Sequence, residues 1–337
     1  MLPLGYSFLS TGLKAESVQY PLLSEVKLCP VAPKILKKGD TVAITAPASP
    51  SSPGQVASWV STFKKHGIKT EIGDTVKNHS TKYKYFSASD EDRANEFMQF
   101  IRREDIKGIM CARGGWGALR ILPLLNYNEI QNNPKMIIGF SDITAIINVI
   151  YNKCDIITFH GPVASSFNEF IYKSFKKVLL DETKERISIF APESKVIIEG
   201  KASGRIVGGN LSVLTSLIGT PYEINTKDAI LLIEEKAEEP YKIDRMLTQL
   251  RLAGKFDQVA AIIIGDLEKL DRKRNFFPGY SPTLREVFEQ HFKAIGKPTI
   301  ISFPFGHTNK NVTIPIGIEA DFNSSKKMLT FNNFNNV

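Results

Sequence analysis

The chain has 337 residues, 42% of them hydrophobic and 23% charged, the balance of a folded protein with length enough for two domains. No apolar run approaches the roughly 20 residues of a membrane-spanning helix, the longest strand-like run being Val259 to Ile264, so membrane insertion is not expected. Lys and Arg number 43 against 35 Asp and Glu, a net charge of +8; without a recognised motif or a clustered basic stripe it reads as a solvated lysine-rich surface and not as a nucleic-acid footprint.

Residues 1–33 read as a leader. Met1 to Ser17 is mildly apolar, lacks a basic start, and is broken by Pro3 and Gly5, which fits a flexible extension of a cytoplasmic protein. The alternative is the remnant of an export signal, which would make the protein periplasmic or exported. From Lys38 the pattern becomes regular. Thr41 to Thr45 reads as a buried strand running into the turn Ala46-Pro47, and Val56, Trp59, Val60 and Phe63 recur at helical spacing. Ile68 to Ile72 is a second strand. Ser89, with Asp92 three residues on, opens a helix whose apolar face is Ala94, Phe97, Met98 and Ile101. Gly108 to Ala112 and Met136 to Gly139 are further strands, each leading through a glycine-containing turn into a helical stretch. Strands alternating with helices predict an α/β domain with a parallel sheet over residues 34–166.

Residues 167–195 are richer in charge and read as a connecting helix and linker. Over residues 196–337 strand-like runs dominate: Val196 to Glu199, Gly204 to Val207, Ala229 to Glu234, Val259 to Gly265 and Thr299 to Ser302. Helical patterns intervene at Tyr241 to Leu252 and Thr283 to Phe292, so the second domain is expected to be β-rich α+β. The low-complexity tail, Phe331 to Val337, is expected to fray.

The cysteines Cys29, Cys111 and Cys154 form no CxxC or Cys/His pattern of metal-ligand spacing, so neither a metal nor another cofactor is expected. Chemistry in an α/β domain belongs at the C-terminal ends of the parallel strands. Two segments lie there. Arg113-Gly-Gly-Trp116-Gly117 packs three glycines into five residues, a turn able to aim backbone N–H groups at an oxyanion. It is not a phosphate-binding Walker loop, because no Lys-Ser/Thr follows the glycines. Gly139-Phe-Ser141-Asp142-Ile143 places a serine on a strand-to-helix turn, the geometry of a nucleophile elbow, although Ile143 stands where that pattern has glycine. The simpler alternative is that Ser141 caps the helix and Asp142 favours its positive end.

An attacking serine needs a base and a carboxylate to orient it. Of the five histidines, His66 and His79 lie in polar, lysine-rich turns and read as solvated, and His291 sits in an amphipathic helical pattern. His160 and His307 each follow a strand, and either could reach a site at strand ends. Glu234, closing the apolar strand Ile230 to Ile233, is the best-placed carboxylate, since a buried acid needs a partner. Glu235, Glu238 and Glu239 look solvated.

Ala-Pro-Ala-Ser (46–49), Arg-Gly-Gly-Trp-Gly (113–117), Gly-Phe-Ser-Asp-Ile-Thr-Ala (139–145), Gly-Gly-Asn-Leu (208–211), Leu-Ile-Glu (232–234) and Phe-Gly-His (305–307) occur in the order and context of the LD-carboxypeptidases. From Lys34 to Leu329 the sequence resembles that serine-peptidase family. The resemblance implies Ser141 as nucleophile, His307 as base, Glu234 as its orienting acid, and an oxyanion hole formed by the backbone N–H groups of Asp142 and Gly115. It implies an α/β domain carrying the serine, a β-rich domain carrying the other two, and a homodimer. Arg113, Trp116, Asn210 and His160 are the expected substrate contacts, with His160 a wall of the cleft or simply a strand-end histidine. The implied substrate is a murein tetrapeptide, cut between the L-centre of its diamino acid and the terminal D-alanine in peptidoglycan recycling or remodelling. A sister branch, the microcin-immunity-type peptidases, cleaves peptide–nucleotide antibiotics; it carries a Ser/Asn-rich turn where this chain has Arg113 to Gly117. An inactive muropeptide-binding protein is the non-enzymatic alternative.

Overall fold

A computed structural model describes residues 30–78, 84–181, 183–265 and 282–333. The leader Met1 to Ser17, His79 and Cys29 fall outside the described residues. The first sheet is built from β1 (Thr41–Thr45), β2 (Lys69–Ile72), β3 (Ile106–Cys111), β4 (Met136–Gly139) and β5 (Thr158–His160). These five strands are mutually parallel, in the order 5-4-3-1-2. Both faces are covered, so β4 is buried at every position and β1 at all but its first, which is why the strands read as continuous apolar runs rather than alternating ones.

The connecting helices are α1 (Pro53–Lys65), α2 (Asp74–Lys77), α3 (Asp90–Arg102), α4 (Ala118–Ile121), α5 (Tyr127–Asn132) and α6 (Thr144–Cys154). Ser52 caps α1 by accepting from Gln55 N, with Pro53 pre-set for the first turn, and the helix buries Val56, Trp59, Thr62 and Phe63. The Ser89 side chain caps α3 through Asp92 N, as its sequence predicts. His66, expected to be solvated, is half-buried and hydrogen-bonded to the Tyr172 hydroxyl.

The second sheet has eight strands: β6 (Arg186–Phe190), β7 (Lys195–Ile198), β8 (Lys201–Asn210), β9 (Ala229–Glu234), β10 (Ala261–Gly265), β11 (Thr299–Phe303), β13 (Glu319–Asn323) and β14 (Met328–Asn332), in the order 6-14-13-8-9-10-11-7. Its centre, β8 to β11, is parallel, and the outer strands pair antiparallel. Around it lie α8 (Leu211–Ser216), α9 (Pro240–Leu252) and α10 (Leu284–Ile295), whereas α7 (Glu169–Leu179) packs Phe175 against Trp59 and Phe63 of α1. Thr283 and Glu286 form a capping box at α10.

Three features depart from the sequence expectations. Residues 167–195 hold the expected helix, α7, but also the edge strand β6 where a linker was expected. The remaining strand, β12 (Ile314–Ile316), crosses to the first sheet and pairs antiparallel with β5, Ile314 opposite His160. Of the tail, Phe331 and Asn332 belong to β14, where Phe331 is 1% exposed and apolar side chains spaced by two outweigh the low complexity; residues 334–337 lie outside the described residues.

Helix α6 fastens the two sheets together. All but two of its residues are buried. Asn148 Nδ2 donates to Gly208 O at 3.0 Å while Gly208 N donates back to Asn148 Oδ1 at 2.9 Å, and Asn210 N donates to Thr144 Oγ1 at 3.0 Å. A Cβ at Gly209 would lie 2.6 Å from Thr144 Oγ1, so glycine is what lets β8 approach this closely.

Because Phe331 is buried under the sheet edge, Phe331→Ala should destabilise the protein by about 3 to 5 kcal/mol, read from urea unfolding. A loss below about 1 kcal/mol, within the range of surface substitutions, would mean that this strand frays.

Candidate active site

The serine sits where β4 meets α6. Ser141 has φ +64, a left-handed conformation that costs a non-glycine residue energy and is held only by surrounding structure. Gly139 makes the turn possible: a Cβ there would lie 2.7 Å from Ile143 Cγ2. The room that the elbow pattern reserves for a final glycine is therefore supplied one turn earlier. Residues Ser141–Ile143 form a single 3-10 turn before α6, and no side-chain cap is made at its start. Instead of capping, Ser141 Oγ lies 3.1 Å from His307 Nε2.

His307 reaches Ser141 from the other half of the chain, on the loop after β11. Its Nδ1 lies 2.7 Å from Oε2 of Glu234. A carboxylate accepts only, so Nδ1 carries the proton and Nε2 keeps the lone pair that faces the serine hydroxyl. Glu234, the last residue of β9, is 1% exposed. Burial by itself would raise its carboxyl, but the charge and hydrogen bond of His307, with a smaller contribution from His160, hold it below the ordinary value. Gly306 has φ +95, and a Cβ there would lie 2.8 Å from both Cβ and Oε2 of Glu234. The Phe-Gly-His motif thus needs its glycine so that the loop can fold over the acid. Phe140 packs edge-on against the His307 ring, centroids 5.0 Å apart.

The glycine turn lies against the serine. A Cβ at Gly114 would be 2.7 Å from Ser141 Cβ, and Gly115 and Gly117 have φ +99 and +112. Three buried side chains lock it. Ser49 Oγ accepts from Trp116 N at 3.0 Å and donates to Tyr85 O at 2.7 Å, while Ser49 N donates to Gly114 O at 3.1 Å. Arg93, fully buried, donates to Gly117 O at 2.9 Å and to Pro47 O, and pairs with Asp90. Asp142 Oδ2 accepts from Ala118 N at 2.8 Å. The N–H groups of Gly115 and Asp142 donate to no described residue, the condition for receiving a ligand oxygen.

Ser141 and His307 open on a cleft of about 720 Å³ also lined by Arg113, Trp116, Asn210 and Glu235. Arg113 is exposed and Trp116 is 69% exposed at the rim. Asn210 is 4% exposed, with Oδ1 capping α8 through Val213 N and Nδ2 donating to Glu235 Oε1. Two expectations are corrected here. Glu235 is not solvated: it is buried, accepts from Asn210, Ser212 N and Lys236 N, and has its carboxyl raised by burial. His160 is no wall of the cleft, being 0% exposed between Phe140 and Phe305. Ser49 and Arg93 were missed as supports; Ser49 carries a signal in the Ala-Pro-Ala-Ser motif, whereas Arg93 is one cation on a charged helix. Among the described residues no three His, Cys, Asp or Glu cluster so as to hold a metal ion. No helix among them is long and apolar enough to cross a membrane.

Burial also pushes the Asp142 carboxyl from 3.8 up to about 6, against the pull of Ala118 N–H and Arg93. The folded state then binds this proton more tightly than the unfolded chain, so stability is lost as pH rises from 3.8 through about 6. Asp142→Asn keeps an acceptor for Ala118 N and removes the buried charge. It should stabilise the protein by about 1 to 3 kcal/mol at pH 7.5 and by little at pH 4, measured by chemical denaturation at both values. Equal effects at the two pH values would contradict the assignment.

Residues 42–161 match the LD-carboxypeptidase N-terminal domain and residues 203–322 the LD-carboxypeptidase C-terminal domain. A probable murein peptide carboxypeptidase of Bacillus subtilis is 35% identical over 88% of this chain and 92% of its own. A murein tetrapeptide carboxypeptidase of Pseudomonas aeruginosa is 26% identical over 83% and 92%. Among solved structures, the microcin C7 self-immunity protein MccF in complex with glutamyl sulfamoyl guanosine superposes with a TM-score of 0.80, at 27% identity over 90% of this chain and 98% of that one. With both halves matched in order and the nearly full-length relative above 30% identity, the chain belongs to the LD-carboxypeptidase family.

Proposed function

We propose that this protein is a serine LD-carboxypeptidase that hydrolyses the bond between the L-centre of the diamino acid and the terminal D-alanine of murein tetrapeptides, in peptidoglycan recycling or remodelling. The observation that carries the reading is the contiguous series Ser141 Oγ, His307 Nε2, His307 Nδ1 and Glu234 Oε2, linked at 3.1 Å and 2.7 Å. The murein names of two relatives support the substrate class.

Ser141 Oγ attacks the carbonyl carbon while His307 Nε2 takes its proton. Glu234 stabilises the imidazolium and keeps the ring in the tautomer that can accept at Nε2. The carbonyl oxygen, now an anion, is received by the N–H groups of Gly115 and Asp142; their turn is braced by Ser49, Arg93 and Asp142 before substrate arrives, so little reorganisation is needed at the moment of reaction. His307 then hands the proton to the departing D-alanine nitrogen, and afterwards activates the water that releases the acyl group from Ser141. Arg113, a cation on the oxyanion turn, suits the terminal carboxylate that a carboxypeptidase must recognise.

A second reading is an immunity-type peptidase acting on peptide–nucleotide antibiotics, favoured by the close superposition on MccF. Parallel assays with a murein tetrapeptide and an aminoacyl sulfamoyl nucleoside decide between them; release of D-alanine with no cleavage of the nucleoside is expected.

Ser141→Ala and His307→Ala should stay folded and lose on the order of 10⁴ to 10⁶ in turnover, with Glu234→Gln severely impaired through loss of tautomer control. Retention of more than about a tenth of the activity by Ser141→Ala, far above that range, would remove the serine from the mechanism. On the acid side, kcat/KM should fall about tenfold per pH unit, as a mechanism that uses one general base requires.

Because the nucleophile is a side chain, turnover should survive exhaustive chelation. Activity lost in chelator and restored by zinc would point to a metal-bound water as nucleophile instead.

A further inference from the structure

Behind Glu234 lies a polar cluster that the proposed mechanism does not use. Oε2 of Glu234 is taken by His307, but Oε1 is buried without a hydrogen-bond partner among the described residues; the nearby Asn210 amide, which also lowers the Glu234 carboxyl, has its Nδ2 directed to Glu235 Oε1. His160 is 0% exposed, and neither of its ring nitrogens has a partner among the described residues. A buried carboxylate oxygen and a buried imidazole left without partners are costly, more so than a pair that shares a hydrogen bond.

The two are neighbours by several routes. Phe140 packs against His160 at 6.0 Å and against His307 at 5.0 Å, so the two histidines flank one ring. Phe305 packs edge-on against His160 at 5.3 Å, and the same Phe-Gly-His loop closes over Glu234. Glu234 and His307 are the two charged or titratable groups that act on His160; Phe140, Phe305 and Ile314, which approach it from the end of β4, the loop and β12, carry no charge.

We propose that His160 is a positioning residue: its imidazole donates one ring N–H through one bridging water to Oε1 of Glu234, so that the carboxylate is held by both oxygens and aimed at His307. Burial holds His160 neutral, its pKa pushed down to about 4, so it supplies one donor and no charge. A neutral donor steadies the acid while drawing less on its negative charge than a second cation would. The inference rests on the triad reading, because a grip on Glu234 matters only if Glu234 orients the base.

The test compares His160→Phe, which keeps ring bulk and removes the donor, with His160→Gln, which keeps a donor. For His160→Phe, kcat should fall about 10- to 100-fold, the usual effect of losing an outer partner, with KM little changed. Its acid limb in kcat/KM should move to higher pH, because a less-bonded Glu234 binds the proton on His307 more strongly. His160→Gln should recover most of both. Independently of activity, proton NMR of the unmodified protein should show a downfield imidazole N–H that disappears in His160→Gln and moves in Glu234→Gln. That spectrum also decides the matter should His160→Phe fail to fold. The proposal is overturned if His160→Phe keeps its turnover and acid limb, if His160→Gln is equally impaired, or if the N–H ignores Glu234→Gln. An active Ser141→Ala protein would sink the triad reading instead.

Discussion

Everything at the site depends on the fastening between α6 and β8. The reciprocal amide pair Asn148–Gly208 and the bond from Asn210 N to Thr144 Oγ1 tie the helix that follows the serine to a strand of the other sheet. In the register of β8 with β9, Asn210 stands opposite Glu234. Thr144 is three residues after Ser141, so the serine and the acid are held a few residues either side of one contact. Each such bond contributes about 1 kcal/mol net, yet leaving any of these buried groups unpaired costs more, which makes the contact specific as well as cohesive.

Strain and polarity are both concentrated around that contact. Ser141 holds an unfavourable backbone conformation, and Glu234 and Asp142 are carboxylates in a nearly dry environment. Each is over-determined by its neighbours: the elbow by Gly139 and Ile143, Glu234 by His307 and the folded-over loop, Asp142 by Ala118 N–H. Such a site is preorganised because Ser141 and Glu234 stand at the ends of buried strands, and the His307 loop and the glycine turn are pinned by hydrogen bonds. β12 adds to this by carrying the chain back into the first sheet beside His160, so the second half of the chain completes the first sheet.

Much of the architecture was legible in the residues. Buried parallel strands appear as unbroken apolar runs, and β4 and β9 begin and end where those runs do. The cap at Ser89 is local chemistry and was read from its neighbours; those at Ser52 and Thr283 are of the same local kind. β12 was not legible, because Ile-Pro-Ile is three residues long and proline argues against a strand. β6 was hidden among charges, and Glu235 was misread because its run of acids looks like a solvated face. In each case the deciding partner lies far away in the chain: Phe159 for Pro315, and Asn210 and Ser212 for Glu235.

The residues alone determined that an elbow serine, a glycine turn and a strand-closing glutamate exist, because turns, glycine positions and buried strand ends are written within a few neighbouring residues. They left His160 and His307 as rival bases, since both follow strands. The family motifs pointed to His307, and the tertiary structure supplies the physical reason. It encloses His160 behind Phe140 and brings His307 across 166 residues to the serine. Hydrogen-bond geometry is set by which strand ends meet in space, and that depends on sheet order and on the α6–β8 contact, neither of which has a local signature in the sequence.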